Sequence, residues 1–291
     1  MKIRKAVITA AARGEDQRAL PLQRLFDRDG VSRSALAIIV GEAVGAGIEE
    51  VCVVVAPGDE AAYAAAAGEY AARLTFVPQP EALGYGHALH CAASFTGDEP
   101  FLHMVGDHIF VRDGDRNVAQ QVVALAEAQG CSVSAVKATR ETDLPLYGAI
   151  GAQRIANSSD TYVIEQVREK PTPTEAEQYL IVPGLRSGYY LCFFGIHVLT
   201  PLVMTLLGEQ VAAPAAGTIT VRIELSPVLN HLAGAERYLA VEVSGFRCPI
   251  DIPYGLFTAQ LGLALAGNGR DQVLSIICDH LSRRALAGEI K

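Results

Sequence analysis

Short apolar runs alternate with amphipathic stretches through the first half of the chain. "KAVITAA" (5–11) and "EEVCVVVAP" (49–57) are dense in β-branched residues and hardly interrupted by polar ones, the pattern of strands covered on both faces. Between them, "SALAIIVGEAVGAG" (34–47) sets Leu36, Ile39, Val40, Ala43 and Val44 on one helical stripe, which Gly45 and Gly47 end. "GDEAAYAAAAGEYAARL" (58–74) predicts a second helix before the strand-like "TFVPQ" (75–79). "GHALHCAASF" (86–95) reads as helix and leads into "PFLHMVGDHIF" (100–110), a strand ending in an acid. "NVAQQVVALAEAQG" (117–130) is another helix and "CSVSAVKAT" (131–139) another strand. This alternation predicts an α/β fold with a doubly wound, mostly parallel, Rossmann-like sheet that takes its ligand at the carboxyl ends of the strands.

From about residue 145 the rhythm changes. "LYGAIGAQ" (146–153), "TYVIEQVREKP" (161–171) and "GYYLCFFGIHVL" (188–199) predict strands without crossover helices, hence an antiparallel insertion. "HVLTPLVMTLL" (197–207) and "IELSPVLNHLAGA" (223–235) predict helices, and "RYLAVEVSGF" (237–246) a strand. The tail predicts two C-terminal helices broken at Gly267–Gly269. In the second, Val273, Leu274, Ile277, Cys278 and Leu281 share a face that packs either on its own domain or on a partner, so a homo-oligomer stays open.

Half of the 291 residues are hydrophobic, so the chain buries a large core. Its net charge of -8 argues against nucleic-acid or membrane-surface binding and leaves room for a local basic pocket that takes a small anion. The basic start and following apolar run superficially suggest a signal peptide, but the run is only strand-length and a charged turn ends it. No stretch reaches the roughly 20 apolar residues of a membrane span. The six cysteines are scattered singly with no CxxC pair, which predicts reduced thiols and a cytoplasmic protein.

Three strand ends would meet at one sheet edge: the loop Gly14–Gln23, "PQPEALGYGHA" and "GDH". Asp107, at the end of an apolar strand, is placed either to hold Mg²⁺ against phosphate oxygens or to cap a turn. Gly84 and Gly86 open a helix where backbone can approach a phosphate or a ring; Gln79 can read a base edge or face solvent. Glu169 and Lys170 can accept sugar hydroxyls and meet a phosphate, or form a surface pair before a proline turn. His87, His90, Cys91, His103, Asp107 and His108 cluster in sequence, yet lack the spacing of structural zinc sites.

Taken together these segments resemble the sugar-1-phosphate nucleotidyltransferases, most closely the bacterial UTP–glucose-1-phosphate uridylyltransferases, from about residue 3 to 265. "VPQPEALGYGHAL" resembles the base-reading segment, which implies that Gln79 and the Gly84 backbone recognise uracil. "MVGDHIF" is similar to the strand whose acid, here Asp107, binds Mg²⁺. "LYGAI" and "VREKP" imply that Tyr147 and Gly148 border a hexose, with Glu169 on its hydroxyls and Lys170 on its phosphate. "RSGYYL" resembles an N-x-G-x-Y strand, with Arg186 at the Asn position, and "TVRIELSPVLNHL" the helix after it. The layout implied is a catalytic unit over 1–266, nucleotide-binding to about 140 and sugar-binding over about 141–250, followed by a C-terminal helix over 267–291.

The opening loop departs from the family's G-x-G-T-R-x-x-P-L. Arg18–Leu22 fit R-x-x-P-L, but Ala12 follows Ala11 where the first glycine belongs, and Glu15 and Asp16 are inserted after Gly14. No lysine lies between residues 6 and 136, which leaves Arg18, Arg24, Arg28 and Arg33 as candidates for the missing charge. The second metal-binding acid is also displaced: Pro249 stands at its place, and a two-residue slip would supply Asp251. The resemblance implies Mg²⁺-dependent joining of a nucleoside triphosphate to a sugar 1-phosphate, with Arg18, Asp107 and Lys170 central. The altered loop leaves a second reading, a non-catalytic nucleotide-sugar-binding regulator on the same fold.

Overall fold

The structure, a computed structural model, describes residues 1–213 and 222–286. The strands are β1 (Lys5–Thr9), β2 (Arg24–Phe26), β3 (Ser32–Ser34), β4 (Glu50–Val55), β5 (Leu74–Pro78), β6 (Phe101–Val105), β7 (His108–Arg112), β8 (Ser132–Arg140), β9 (Ala149–Arg154), β10 (Thr161–Arg168), β11 (Tyr189–Leu199), β12 (Tyr238–Glu242) and β13 (Gly245–Pro249). The helices are α1 (Glu15–Ala19), α2 (Ala35–Gly45), α3 (Glu60–Ala66), α4 (Tyr85–His90), α5 (Ala93–Thr96), α6 (Val118–Gln129), α7 (Pro173–Tyr179), α8 (Leu202–Ala212), α9 (Leu225–Ala235), α10 (Gly255–Leu265) and α11 (Arg270–Leu286).

Nine strands form one sheet in the order β5-β4-β1-β6-β11-β8-β12-β10-β9. The first four pair in parallel, and β12 pairs in parallel with β8. Only β10 and β11 run against the others, and with β9 they make the expected antiparallel insertion. The two parts implied by the sequence therefore share one sheet.

Helices cover both faces. Leu36, Ile39 and Val40 of α2 pack with Val118 and Val122 of α6 on one face, while Leu89 of α4, Val203 and Leu207 of α8 and Leu229 of α9 cover the other. Each such buried side chain contributes about 1.5–3 kcal/mol. Ser34 starts α2 by accepting from the Ala37 N–H at 2.9 Å, and Asn117 starts α6 through a reciprocal capping box with Gln120.

"PFLHMVGDHIF" is two strands, not one. After Val105 the chain turns at Gly106–Asp107, and β7 leaves the sheet to pair with β13. At the other end, His197–Leu199 complete β11, and α8 begins only after Pro201. In α11 the shared apolar face is only partly covered: Val273 and Ile277 are half-buried, while Leu281 is 55% exposed. Among the described residues no helix is long and apolar enough to cross a membrane.

A polar ladder lies inside the α4/α8/α9 face. The Tyr85 hydroxyl meets His103 Nε2 at 2.5 Å, and His103 Nδ1 meets the Val7 carbonyl at 3.1 Å. With the carbonyl taking the Nδ1 proton, Nε2 is left to accept from Tyr85. His197 stacks on His103, and its Nδ1 meets Ser134, which also bonds Tyr238. Burial pushes His103 down to about 4 and His197 to about 3, the latter helped by His103 beside it.

Both rings are therefore neutral in the fold and protonate first in the unfolded chain. Their contribution to stability is full above about pH 7 and falls as the pH drops through about 6.5 towards 4, by about 1.4 kcal/mol per pH unit for each histidine, partly offset by buried Glu42, whose pKa is raised to about 7. Urea unfolding at pH 7, 6 and 5 should show this loss. His103→Phe should reduce the fall per pH unit by about 1.4 kcal/mol relative to the wild type; the same profile in both would contradict it.

Candidate active site

The parallel strands bring three loops to one edge, as expected. A cavity of about 330 Å³ is lined by Thr9–Arg13 and Gln17 from the first loop, Gln79, Ala82, Gly84 and Tyr85 from the second, and Val105–Asp107 from the third, with Pro21, Ala88 and Arg222 at its margins. Ala11 and Ala12 thus face the cavity, whereas Gly14 only precedes α1.

Gln79 is 5% exposed, and its orientation is fixed internally. Its Nε2 donates to the Gly84 carbonyl at 3.1 Å and lies 3.0 Å from His87 Nδ1. Reversing the amide would set two carbonyl oxygens together, so Oε1 is the atom left to meet a ligand. Gly84 adopts φ +122, and a Cβ there would lie 2.5 Å from the Ile223 carbonyl oxygen. That contact exists because residues 222–224 are zipped onto the loop: Ile223 N–H donates to the Leu83 carbonyl at 2.8 Å, and Gly86 N–H to Ile223 at 2.9 Å.

The arginine assignment needs correction. Arg18 does not line the cavity; its Nε is paired with Asp59 at 2.8 Å, below α3. Arg24 is bonded to Ser32 across the β2–β3 hairpin, and Arg33 is paired with Asp27 and Glu69. Arg28 lies beside α10, where its carbonyl receives Asn268 N–H. The cations lining the cavity are instead Arg13, whose Nη2 donates to the Ala82 carbonyl at 2.6 Å, and Arg222. Arg13 stands one residue before the loop Gly14–Gln23 and is not among the expected cations; Arg222 gave only the signal of an Arg-x-Glu before a helix.

Asp107 lies at the cavity floor, with about half its side chain accessible. Burial would raise its pKa, but the 2.6 Å hydrogen bond and the charge of His108 outweigh this and hold it below the usual carboxylate value. Asp251 follows β13 near enough that burial and the charge of Asp107 raise its own pKa. It lines a neighbouring depression with Asp16 and Gln17, not the main cavity. An ionised carboxylate at a phosphate-sized crevice, with a second acid nearby, fits Mg²⁺, which takes one or two carboxylates and completes its octahedron with phosphates and water.

A second cavity, of about 260 Å³, shares Tyr85, Val105 and Arg222 with the first. Tyr147, Gly148, Glu169 and Lys170 all line it, as the sequence implied. Ser226 donates to Glu169 Oε2 at 2.5 Å, and a Cβ on Gly148 would lie 3.2 Å from that oxygen, so the glycine lets backbone lie against the carboxylate. Lys170 has φ +44, a strained value for a side-chain-bearing residue, fixed by its N–H donating to the Tyr147 carbonyl at 3.2 Å. Arg186 is exposed, stacks over Tyr189 and does not line the cavity, a second correction. Beside Lys170 and Arg222, the cavity is lined by Arg247, 3.4 Å from the Tyr147 ring centre and bonded to the Phe193 carbonyl. Its sequence signal was a lone cation between Phe246 and Cys248.

The histidine cluster of the sequence is dispersed. His87 meets Gln79, His103 meets Tyr85 and His108 meets Asp107. Among the described residues no three His, Cys, Asp or Glu side chains come together as a metal site.

The chain is similar to known proteins over nearly its whole length. The chain is 26% identical to the UTP–glucose-1-phosphate uridylyltransferase YngB of Bacillus subtilis over 97% of each chain, and 26% identical to a UTP–glucose-1-phosphate uridylyltransferase of Streptococcus pneumoniae over 91% of each. A UDP-glucose pyrophosphorylase complexed with UDP-glucose superposes with a TM-score of 0.71 at 20% identity, covering 89% of this chain and 97% of the other. A UTP-bound enzyme of Acinetobacter baumannii does so with a TM-score of 0.71 at 22% identity, covering 94% and 99%. These two establish the fold. The model of the nucleotidyl transferase family matches residues 30–212, and the chain belongs to that family.

Proposed function

We propose that the protein joins UTP to glucose 1-phosphate or a closely related hexose 1-phosphate, giving the UDP-sugar and pyrophosphate. The observation that carries this reading is the meeting of two cavities at one seam, with an ionised carboxylate beneath the first and the Glu169–Ser226 pair in the second. Relatives named UTP–glucose-1-phosphate uridylyltransferase that match almost the whole chain support it. The six free cysteines support a reducing compartment.

In this reading the base lies against Gln79, whose Oε1 accepts the uracil N3–H, while the Gly84 turn brings backbone against the ring. The phosphates run along Ala10–Arg13 towards Asp107. In the second cavity Glu169, oriented by Ser226, accepts hydroxyls of the hexose, and the strained backbone of Lys170 directs its ammonium to the sugar phosphate. An oxygen of that phosphate, already anionic at neutral pH, attacks the α-phosphorus. The bond to the bridging oxygen breaks, and its electron pair leaves with pyrophosphate. No general base is required, so the protein contributes alignment and charge neutralisation. Mg²⁺, held by Asp107 with Asp251 as the nearby second acid, would supply further neutralisation of phosphate charge.

Pyrophosphate release measured with each nucleoside triphosphate against a panel of sugar 1-phosphates tests the reading. Turnover should require Mg²⁺ and be best with UTP and a hexose 1-phosphate; a folded sample inert with every pair would reject it. CTP offers a lone pair at N3 to the Gln79 oxygen, so its kcat/KM should be at least about 100-fold below that for UTP.

Asp107→Asn should lower kcat by at least about 100-fold while the protein stays folded, with a small fall in melting temperature from the lost charge beside His108. Because the Asp107 pKa is depressed, its carboxylate stays ionised as pH falls from 8 to 5, and Mg²⁺-linked UTP binding by calorimetry should persist across that range. The same Mg²⁺-linked affinity in Asp107→Asn as in the wild type would show that Asp107 is not the group responsible.

A further inference from the structure

We infer that Arg222 is the cation that neutralises the reacting phosphates at the seam between the two cavities, an inference that rests on the proposed transferase reading. Three residues line both cavities: Tyr85, Val105 and Arg222. Of these only Arg222 is charged. The seam is where an oxygen of the sugar phosphate must approach the α-phosphorus, and where two anions would otherwise repel.

Its anchorage suits that task. Ile223, the next residue, is bonded on both sides to the base-reading loop, through Leu83 and Gly86. The Arg222 Cγ lies 2.9 Å from where a Cβ on Gly84 would stand, so the side chain crosses directly over that glycine. Glu224 Oε1 takes Nε at 2.6 Å. Among the described residues the one ion pair of Arg222 is made through Nε, and neither terminal nitrogen has a partner. Glu224 is thus a positioning residue whose charge holds the Nε side of the guanidinium, while the side chain lines both cavities.

The charge count points the same way. The loop has no lysine, and Arg18, Arg24 and Arg33 are held by partners of their own. Arg13 lines the nucleotide cavity, and Lys170 and Arg247 line the sugar cavity, so each serves one substrate. Arg222 alone reaches both, and it is assigned the developing charge as the new oxygen–phosphorus bond forms and pyrophosphate departs.

The test compares wild type with Arg222→Ala, Arg222→Lys and Glu224→Gln. Arg222→Ala should lower kcat by about 10- to 100-fold, the loss of one charge-assisted contact in the transition state, with each KM within about threefold. Millimolar guanidinium should restore part of the activity of Arg222→Ala and none to wild type; Arg222→Lys should fall between. Glu224→Gln should lose less than Arg222→Ala. Unchanged melting temperatures would rule out misfolding, since the side chain is 64% exposed. Activity of Arg222→Ala within twofold of wild type, or a loss that neither lysine nor guanidinium recovers, would overturn the inference. Should wild type itself be inert, the transferase reading fails by that result alone. Calorimetry with UDP-glucose then decides separately: Arg222→Ala binding at least about tenfold more weakly sustains a phosphate-binding role, and equal affinity removes it.

Discussion

The site depends on a single backbone contact between two parallel strands. β1 and β6 run side by side in register to Thr9 and Val105, and the next N–H, that of Gly106, donates to the Thr9 carbonyl at 2.9 Å. A Cβ at 106 would lie 2.7 Å from that oxygen. Any larger residue would force the strands apart at the point where they hand over to loops. Asp107 follows at once, and its own carbonyl receives the Ile250 N–H at 2.8 Å from the end of β13. The turn is therefore tied from both flanks, which holds Asp107 beside Ala10–Ala12 and carries Arg247 and Asp251 towards the same region.

How much of this was legible in the sequence follows from how local each feature is. Asp107, Gln79 and Gly84 were readable because each is set by a strand end or a turn within its own segment. Tyr147, Glu169 and Lys170 were readable for the same reason, since a strand followed by a tight turn delivers them. The destinations of the arginines were not. Arg18 is decided by Asp59 and Arg33 by Glu69, partners that only folding brings near. Arg222 enters through pairing of residues 222–224 with residues 83–86, and nothing within either segment announces the other. The division of "PFLHMVGDHIF" was hidden too, because two buried strands and a glycine turn have the same apolar pattern as one long strand.

The neutral interior and the charged seam are complementary parts of one arrangement. His103 supports Tyr85 from beneath the sheet, and Tyr85 borders both cavities. A protonated ring at 103 could no longer accept from the Tyr85 hydroxyl, so burial that keeps it neutral also keeps the wall between the cavities in place. The protein as a whole is acidic, at -8, and at long range offers a triphosphate no attraction. Screening confines that repulsion to about 8–10 Å at physiological salt. Within this distance the field a ligand meets is set by the few groups lining the cavities, where Arg13, Arg222, Lys170 and Arg247 stand.

Directionality explains which parts of the family pattern this chain keeps and which it changes. In the proposed reaction a base edge is read by one donor and one acceptor at fixed angles, and a divalent cation demands oxygen ligands in set directions, so Gln79 and Asp107 have to stand where they do. Phosphate charge is spread over several equivalent oxygens, and a guanidinium or ammonium can neutralise it from more than one side. Cations can therefore leave the opening loop and be replaced from across the cavity, provided that the new ones are anchored as firmly as the old. Zipping residues 222–224 onto the base-reading loop provides that anchorage: the backbone that shapes the Gly84 turn also fixes the root of Arg222. In the proposed reaction, recognition of the base and neutralisation of the phosphates are thereby fastened to one another, although the residues assigned to them lie far apart in the chain.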